Sequence, residues 1–146
     1  MKRLFAILLI LALMLCAAGC QISQSTYTKA EIAAKYGIEE SVIDEWHNKY
    51  PKSNDLPPED SEFAEDSVII CVYPFANAYE FTPEDFPELQ CSAVYSLASS
   101  SDTTPTRLII LSLKDGSRQA VIDAIKRLQL RADVYSAGAN YVISGD

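Results

Sequence analysis

Residues 107–143 read RLIILSLKDGSRQAVIDAIKRLQLRADVYSAGANYVI, and this stretch decides the fold. Arg107–Leu113 is a short apolar run rich in branched side chains, which predicts a buried strand. Lys114-Asp115-Gly116-Ser117 follows as a turn that ends on a helix N-cap. Val121, Ala124, Ile125 and Leu128 then recur at helical spacing, while Arg118, Asp123, Lys126 and Arg127 fall mainly elsewhere, so 118–130 predicts an amphipathic helix. After Ala132-Asp133 the pattern returns to strand over 134–143, with a small-residue bend expected at Ala137–Ala139. Strand, helix and strand in this order form a βαβ-type unit.

Upstream, SVIICVYPF (67–75) predicts another buried strand. Thr82-Pro83-Glu84-Asp85 carries a helix-start signal, with Thr as N-cap and Pro at the first helical position. Pro87 stops that helix after about one turn. In LQCSAVYSL (89–97) the residues Leu89, Cys91, Ala93, Tyr95 and Leu97 alternate onto one face, the pattern of a half-buried strand. The order β, short α, β, β, α, β over 67–146 predicts an α+β domain with a ferredoxin-like split sheet and a shortened first helix. Helices on one face of such a sheet leave the other face uncovered, and that face is the best candidate for a partner surface. The aromatics Tyr73, Phe75, Tyr79 and Phe81 are expected to pack into the core.

The second half, TRLIILSLKDGSRQAVIDAIKRLQLRADVYSAGANYVIS, resembles the latter half of subtilisin-propeptide-like domains and related modules of clostridial surface proteins. Val134, Ala137, Asn140 and Tyr141 stand at the places of a V-x-x-A-x-x-N-Y strand, and EFTPEDFPEL (80–89) is similar to the surface-module version. The resemblance implies a sheet that docks on a protein and a C-terminal tail, Tyr141, Val142, Ile143 and Ser144, that enters a protease cleft. Gly138 and Ala139 stand where the inhibitory type has Glu-Pro, and only five residues follow Tyr141.

The strand order bears on the cysteines. With the third strand between the first and second, Cys71 and Cys91 lie two strand spacings apart, roughly 9.5 Å. A disulfide reaches about 7 Å between Cα atoms, so two buried thiols are expected instead.

At the N-terminus, Lys2 and Arg3 precede the apolar run Leu4–Leu15, and Ala17, Ala18 and Gly19 lead to Cys20. This is the form of a secretory signal, too short for a permanent span. Ala17-Ala18-Gly19-Cys20 resembles the lipobox of bacterial lipoproteins. That resemblance implies cleavage of 1–19 and a lipid on Cys20, which would place the chain on the outer side of a cell membrane. The whole chain carries a formal charge of −8; without Lys2 and Arg3 it has ten bases against 20 acids, or −10. Such a surface is repelled by nucleic acid and anionic lipid, so membrane attachment would come from acyl chains.

Residues 20–50 hold Cys20, the lipid site that the resemblance implies, and an expected helical hairpin. KAEIAAKYGIEESVIDEWHNKY (29–50) has the packing positions of a helix-turn-helix: Ile32, Ala33, Tyr36, Ile38, Ile43 and Trp46 around Gly37. Its second helix carries Glu39, Glu40, Asp44 and Glu45 against Lys49 alone, which disfavours DNA reading. Residues 51–66 hold Pro51, Pro57, Pro58 and six acids with Lys52 as the one base, and predict an extended, solvated linker.

No catalytic constellation emerges. His47 is the single histidine and is expected to be exposed. No Cys-x-x-Cys pair, Gly-rich phosphate loop or calcium loop is present, so no metal or cofactor is expected. These features together point to a lipid-anchored, extracytoplasmic, non-enzymatic protein-interaction module with an unknown protein partner and no nucleic acid. The alternatives are a propeptide-like protease inhibitor and, against charge and compartment, a DNA-binding helix-turn-helix protein.

Overall fold

A computed structural model describes residues 27–97 and 101–141. It shows a mixed α/β chain: helices α1 (Lys29–Tyr36) and α2 (Glu40–Lys49), then strand β1 (Ser67–Val72), β2 (Cys91–Ser96), β3 (Arg107–Leu113), helix α3 (Arg118–Gln129) and β4 (Val134–Ala139). The sheet has four strands in the order β2-β3-β1-β4, and every neighbouring pair is antiparallel. Because β3 lies between β1 and β2, Cys71 and Cys91 are held apart, and both are free and buried.

One face of the sheet forms the main core. Val68, Ile70 and Val72 of β1 meet Ile109 and Leu111 of β3, Ala137 and Ala139 of β4, and the Val121, Ala124, Ile125 and Leu128 stripe of α3. The stripe is the one read from the helical period, and Ser117 caps the helix by accepting from the Ala120 amide at 3.2 Å. The expected small-residue bend is absent. β4 runs regularly through Ala137–Ala139, and its irregularity lies at the other end, where the register against Cys71–Val72 shifts. Ala137 and Ala139 instead point into the core beneath α3, where short side chains permit close helix–sheet packing.

The short helix expected after β1 is resolved into three 3-10 turns, Pro74–Ala76, Pro83–Asp85 and Pro87–Leu89. Thr82 is the cap foreseen for the second turn, and its amide bonds to the Asp85 carboxylate at 2.8 Å. Three prolines, each at the start of a turn, keep any of them from lengthening. Arg107, 8% exposed, ties this connection to β3: its Nη1 reaches the carbonyls of Ala76 and Tyr79, and its Nη2 donates to Ser96 Oγ.

The alternation of 89–97 breaks within the strand. A bulge between Cys91 and Ala93 inserts a residue against β3 and reverses the faces. Cys91 is buried and Val94 packs on the core, whereas Tyr95 and Leu97, expected on the Cys91 face, are exposed on the opposite one.

Five of the six expected packing positions meet in the helical pair; the sixth, Trp46, instead stacks on Tyr50 at 5.9 Å. Ile32, Ala33 and Ile43 are buried together. Gly37 ends α1 at φ 65°, in the left-handed region that glycine adopts without strain. The Ile38 amide returns to the Ala33 carbonyl at 3.0 Å, and Lys29 bridges to Asp44 of α2 at 2.7 Å. The pair packs through Ala132, Tyr36 and Phe75 onto the end of the sheet.

Residues 51–66 are not the solvated linker that their charge suggested. Phe63 is 7% exposed within the main core, under the guanidinium of Arg118 at 4.4 Å. Arg118 also donates to the carbonyls of Pro58, Glu59 and Ser61. The Ser53 amide bonds to Tyr135 O and the Ala64 amide to Asn140 O, so the segment straps the outer edge of β4. One aromatic anchor and backbone pairing offset the ordering entropy that the acids alone could not.

Candidate functional site: the open face of the sheet

The sheet face opposite α3 is formed by the residues that alternate with the core residues: Ile69 and Cys71 from β1, Leu108 and Ile110 from β3, and Ser136 and Gly138 from β4. The strap supplies Leu56 and Pro57 at one side, and Tyr95 and Leu97 stand at the other. Leu56, Tyr95, Leu97, Leu108 and Tyr141 are all at least 40% exposed. None of these side chains is charged, on a molecule whose formal charge is −8. An exposed apolar group of this kind is the informative exception to ordinary burial.

Between the strap and the sheet the face deepens into a groove of about 320 Å³, with Leu56, Ile69, Cys71, Leu108 and Tyr141 on its walls. Gly138 forms part of the floor: a Cβ added there would meet nothing within 4 Å. Tyr141 stands at the rim with its ring edge-on to Phe63, at a centroid distance of 6.5 Å. The Cys71 thiol, in the wall, is pushed up to about 11 by burial, so it lines the groove as a neutral, apolar group at physiological pH. The groove can accept an apolar side chain or strand, and Asp55, bonded to Ser53 Oγ at 2.9 Å, is the one charged residue in its lining.

A second concentration of chemistry lies where the helical pair meets the sheet. Arg131 and Asp133 are both fully buried, and Arg131 Nη2 meets Asp133 Oδ2 at 2.9 Å while Nε meets Oδ1 at 3.0 Å. Tyr36 Oη donates to Asp133 Oδ2 at 2.7 Å, and Arg131 Nη1 donates to the Asp85 carbonyl at 2.7 Å. Burial by itself lowers the Arg131 guanidinium's proton affinity, but the Asp133 charge and hydrogen bonds outweigh it and hold the group above its ordinary value. Burial first, and then Asp133, push the Tyr36 phenol well up. Lys35 lies 2.7 Å from Asp85 and within 5.7 Å of the rings of Tyr27, Tyr36, Tyr79 and Phe81. The charges of Arg131, Asp133, Lys35 and Asp85 each have a partner inside this cluster, so it serves to fix the helical pair.

His47 also belongs to that seam and is not the exposed residue expected. It is half-buried, its Nε2 is 2.8 Å from Ala132 O, and its ring lies over Tyr73 at 4.9 Å. Of the expected tail, Tyr141 is placed beside the groove; Val142, Ile143 and Ser144 lie outside the described residues, as do Cys20 and the signal segment 1–19. Among the described residues no helix is long and apolar enough to cross a membrane, and no group of three His, Cys, Asp or Glu residues is arranged to hold a metal ion.

Sequence reading missed Leu56, Pro57 and Leu108 as parts of the site. Leu56 and Phe63 were the available signals, two large apolar residues in an otherwise acidic connector. Leu108 was hidden because a continuous apolar run does not say which of its residues face the core.

Comparison of the chain with models of known protein families, with curated proteins and with solved structures finds no match.

Proposed function

We propose that this chain is a lipid-anchored, extracytoplasmic protein-interaction module, non-enzymatic, held to the cell membrane through Cys20. The observation that carries the interaction reading is the largely apolar open face, where Leu56, Leu108 and Tyr141 stand exposed around a groove while the opposite face is packed against α3. The anchor reading is supported by the N-terminal sequence: two bases, an apolar run and a small-residue approach to Cys20. The partner fitted by the groove is an extracytoplasmic protein with an apolar segment, not nucleic acid.

The ferredoxin-like assignment belongs to the same reading. It is supported by the two central strands β3 and β1 and by the β3–α3–β4 connection. The β1–β2 connection, made of 3-10 turns, is the departure from it.

A photoreactive amino acid placed at Leu108 in intact cells should crosslink one protein species that the same group at exposed Gln119 on α3 does not. Equal patterns from both positions would refute the open face as a binding surface. Radiolabelled palmitate should enter the protein, and Cys20→Ala should abolish the label; equal labelling of both would sink the anchor. The propeptide-like alternative is favoured by one observation, the 50% exposure of Tyr141 at the groove rim. It requires inhibition of a subtilisin-type protease that is lost when 142–146 is removed.

A further inference from the structure

The two outer edges of the sheet are treated differently. Along β4, the strap pairs at Ser53 and again at Ala64. Along β2, no described residue outside the β2–β3 ladder makes a backbone hydrogen bond to 91–96. Free strand edges are ordinarily blunted by charge, proline or a bulge. The sequence of β2, CSAVYS, has no charge and no proline. Its bulge disturbs only the Cys91–Ala93 end.

The ladder shows which groups of β2 are free. The Leu97 amide donates to Leu108 O at 2.9 Å, so Leu97 bonds inward. By the alternation of antiparallel strands Tyr95 does the same, and the N–H and C=O groups of Val94 and Ser96 point away from the sheet. A two-fold axis beside Tyr95 would pair Val94 of one copy with Ser96 of the other, and the reverse, through four backbone bonds. It would also set the two Tyr95 side chains directly opposite each other in a non-hydrogen-bonded pair, where aromatic pairs are favourable. Tyr95 is 58% exposed and lies on the open face beside Leu97, so the two open faces would run on as one apolar surface. The absence of charge in β2 matters here: two acidic copies would meet without like charges in the seam.

We propose that the outer edge of β2 joins two copies of this chain, antiparallel and two-fold symmetric, with Tyr95 opposite Tyr95. A seam of this kind is isologous and closes on itself as a dimer. Added salt strengthens it, because screening weakens the repulsion between two acidic bodies.

The register gives a test in the full chain. In an opposed non-hydrogen-bonded pair the Cα atoms lie about 4.5 Å apart, within disulfide reach. Tyr95→Cys, oxidised with copper phenanthroline in cells, should therefore give a band of doubled mass. Leu97→Cys, offset by roughly 13 Å from its own copy in this register, and Gln119→Cys on α3 should give at least tenfold less. Yields at Leu97→Cys or Gln119→Cys that match Tyr95→Cys would overturn the register, and no product from Tyr95→Cys would overturn the dimer. Sedimentation of the chain from Gln21 onward, which contains every described contact, provides the second measurement. The parent should show a concentration-dependent dimer, and Tyr95→Glu, altered at an exposed position, should remain monomeric with unchanged circular dichroism. A parent that sediments as a monomer at all concentrations also overturns the proposal.

Discussion

The seam beneath the helical pair and the open face of the sheet invert the usual distribution of side chains. In the seam, Arg131 and Asp133 are fully buried; on the open face, Leu56, Leu108 and Tyr141 are exposed. Each inversion is stabilised or tolerated for a different reason. The buried charges are matched to one another and to Tyr36, so their loss of water is offset by short, charge-assisted bonds. The exposed apolar groups are only partly covered by the described chain, Tyr141 by the edge of Phe63 alone among the aromatic rings. The first inversion therefore holds the fold, and the second is available for association.

Breaking the seam should have the largest effect. Asp133→Ala leaves the buried Arg131 guanidinium with only the longer, 3.5 Å carboxylate contact to Glu88, and unfolding in urea should show a loss of about 3–5 kcal/mol. A loss under about 1 kcal/mol would show that water reaches the seam and that it is not the fixed element described. Tyr36→Phe removes one hydrogen bond to the same carboxylate and should cost about 1.5–3 kcal/mol. On the open face the comparison predicts the opposite. Leu108→Asp should alter stability by no more than about 0.5 kcal/mol, yet abolish the crosslink expected at that face. A large loss of stability there would mean that the face is already covered in the folded chain.

A smaller effect sharpens the contrast through pH. Lys52 of the strap donates to the carbonyls of Gln129 and Arg131 at the end of α3, and burial lowers its ammonium to about 8. The folded state thus releases this proton before the unfolded chain, whose lysines titrate near 10.5. Stability should rise as pH passes from about 7.5 to 9, by an amount reduced by partial solvent access. Lys52→Met should flatten that rise in the urea midpoint. Above pH 9 the raised Cys71 thiol, and above pH 10 the Tyr73 phenol held near 12 by burial, act in the other direction. Each of them keeps its proton longer in the folded state, so unfolding gains as pH increases.

Much of the scaffold was legible because its signals are local. The Val121–Leu128 stripe, the Ser117 cap, the Thr82 cap with Pro83, and the Ile32–Gly37–Ile43 framework all depend on spacing within a few residues. The candidate site was legible only as a face without an expected cover. Its walls could not be named, because the bulge at Cys91–Ala93 reverses Tyr95 and Leu97, and because the strap brings Leu56 from far along the chain. His47 was misread for the same reason: its partner, Ala132, is 85 residues away.

By itself, the sequence determined the positions of the three α-helices and the centres of the four strands, how the helical pair turns, and that the chain is acidic with an apolar, basic-led N-terminus. These follow from periodicity, capping and net charge, which are properties of neighbours or of sums. The tertiary structure alone decided that an acidic connector becomes a strap, that Arg131 and Asp133 are buried as a pair beside Tyr36, and that one sheet edge is guarded while no described residue pairs with the other. Those outcomes depend on which distant groups exclude water from one another, and no local pattern records that.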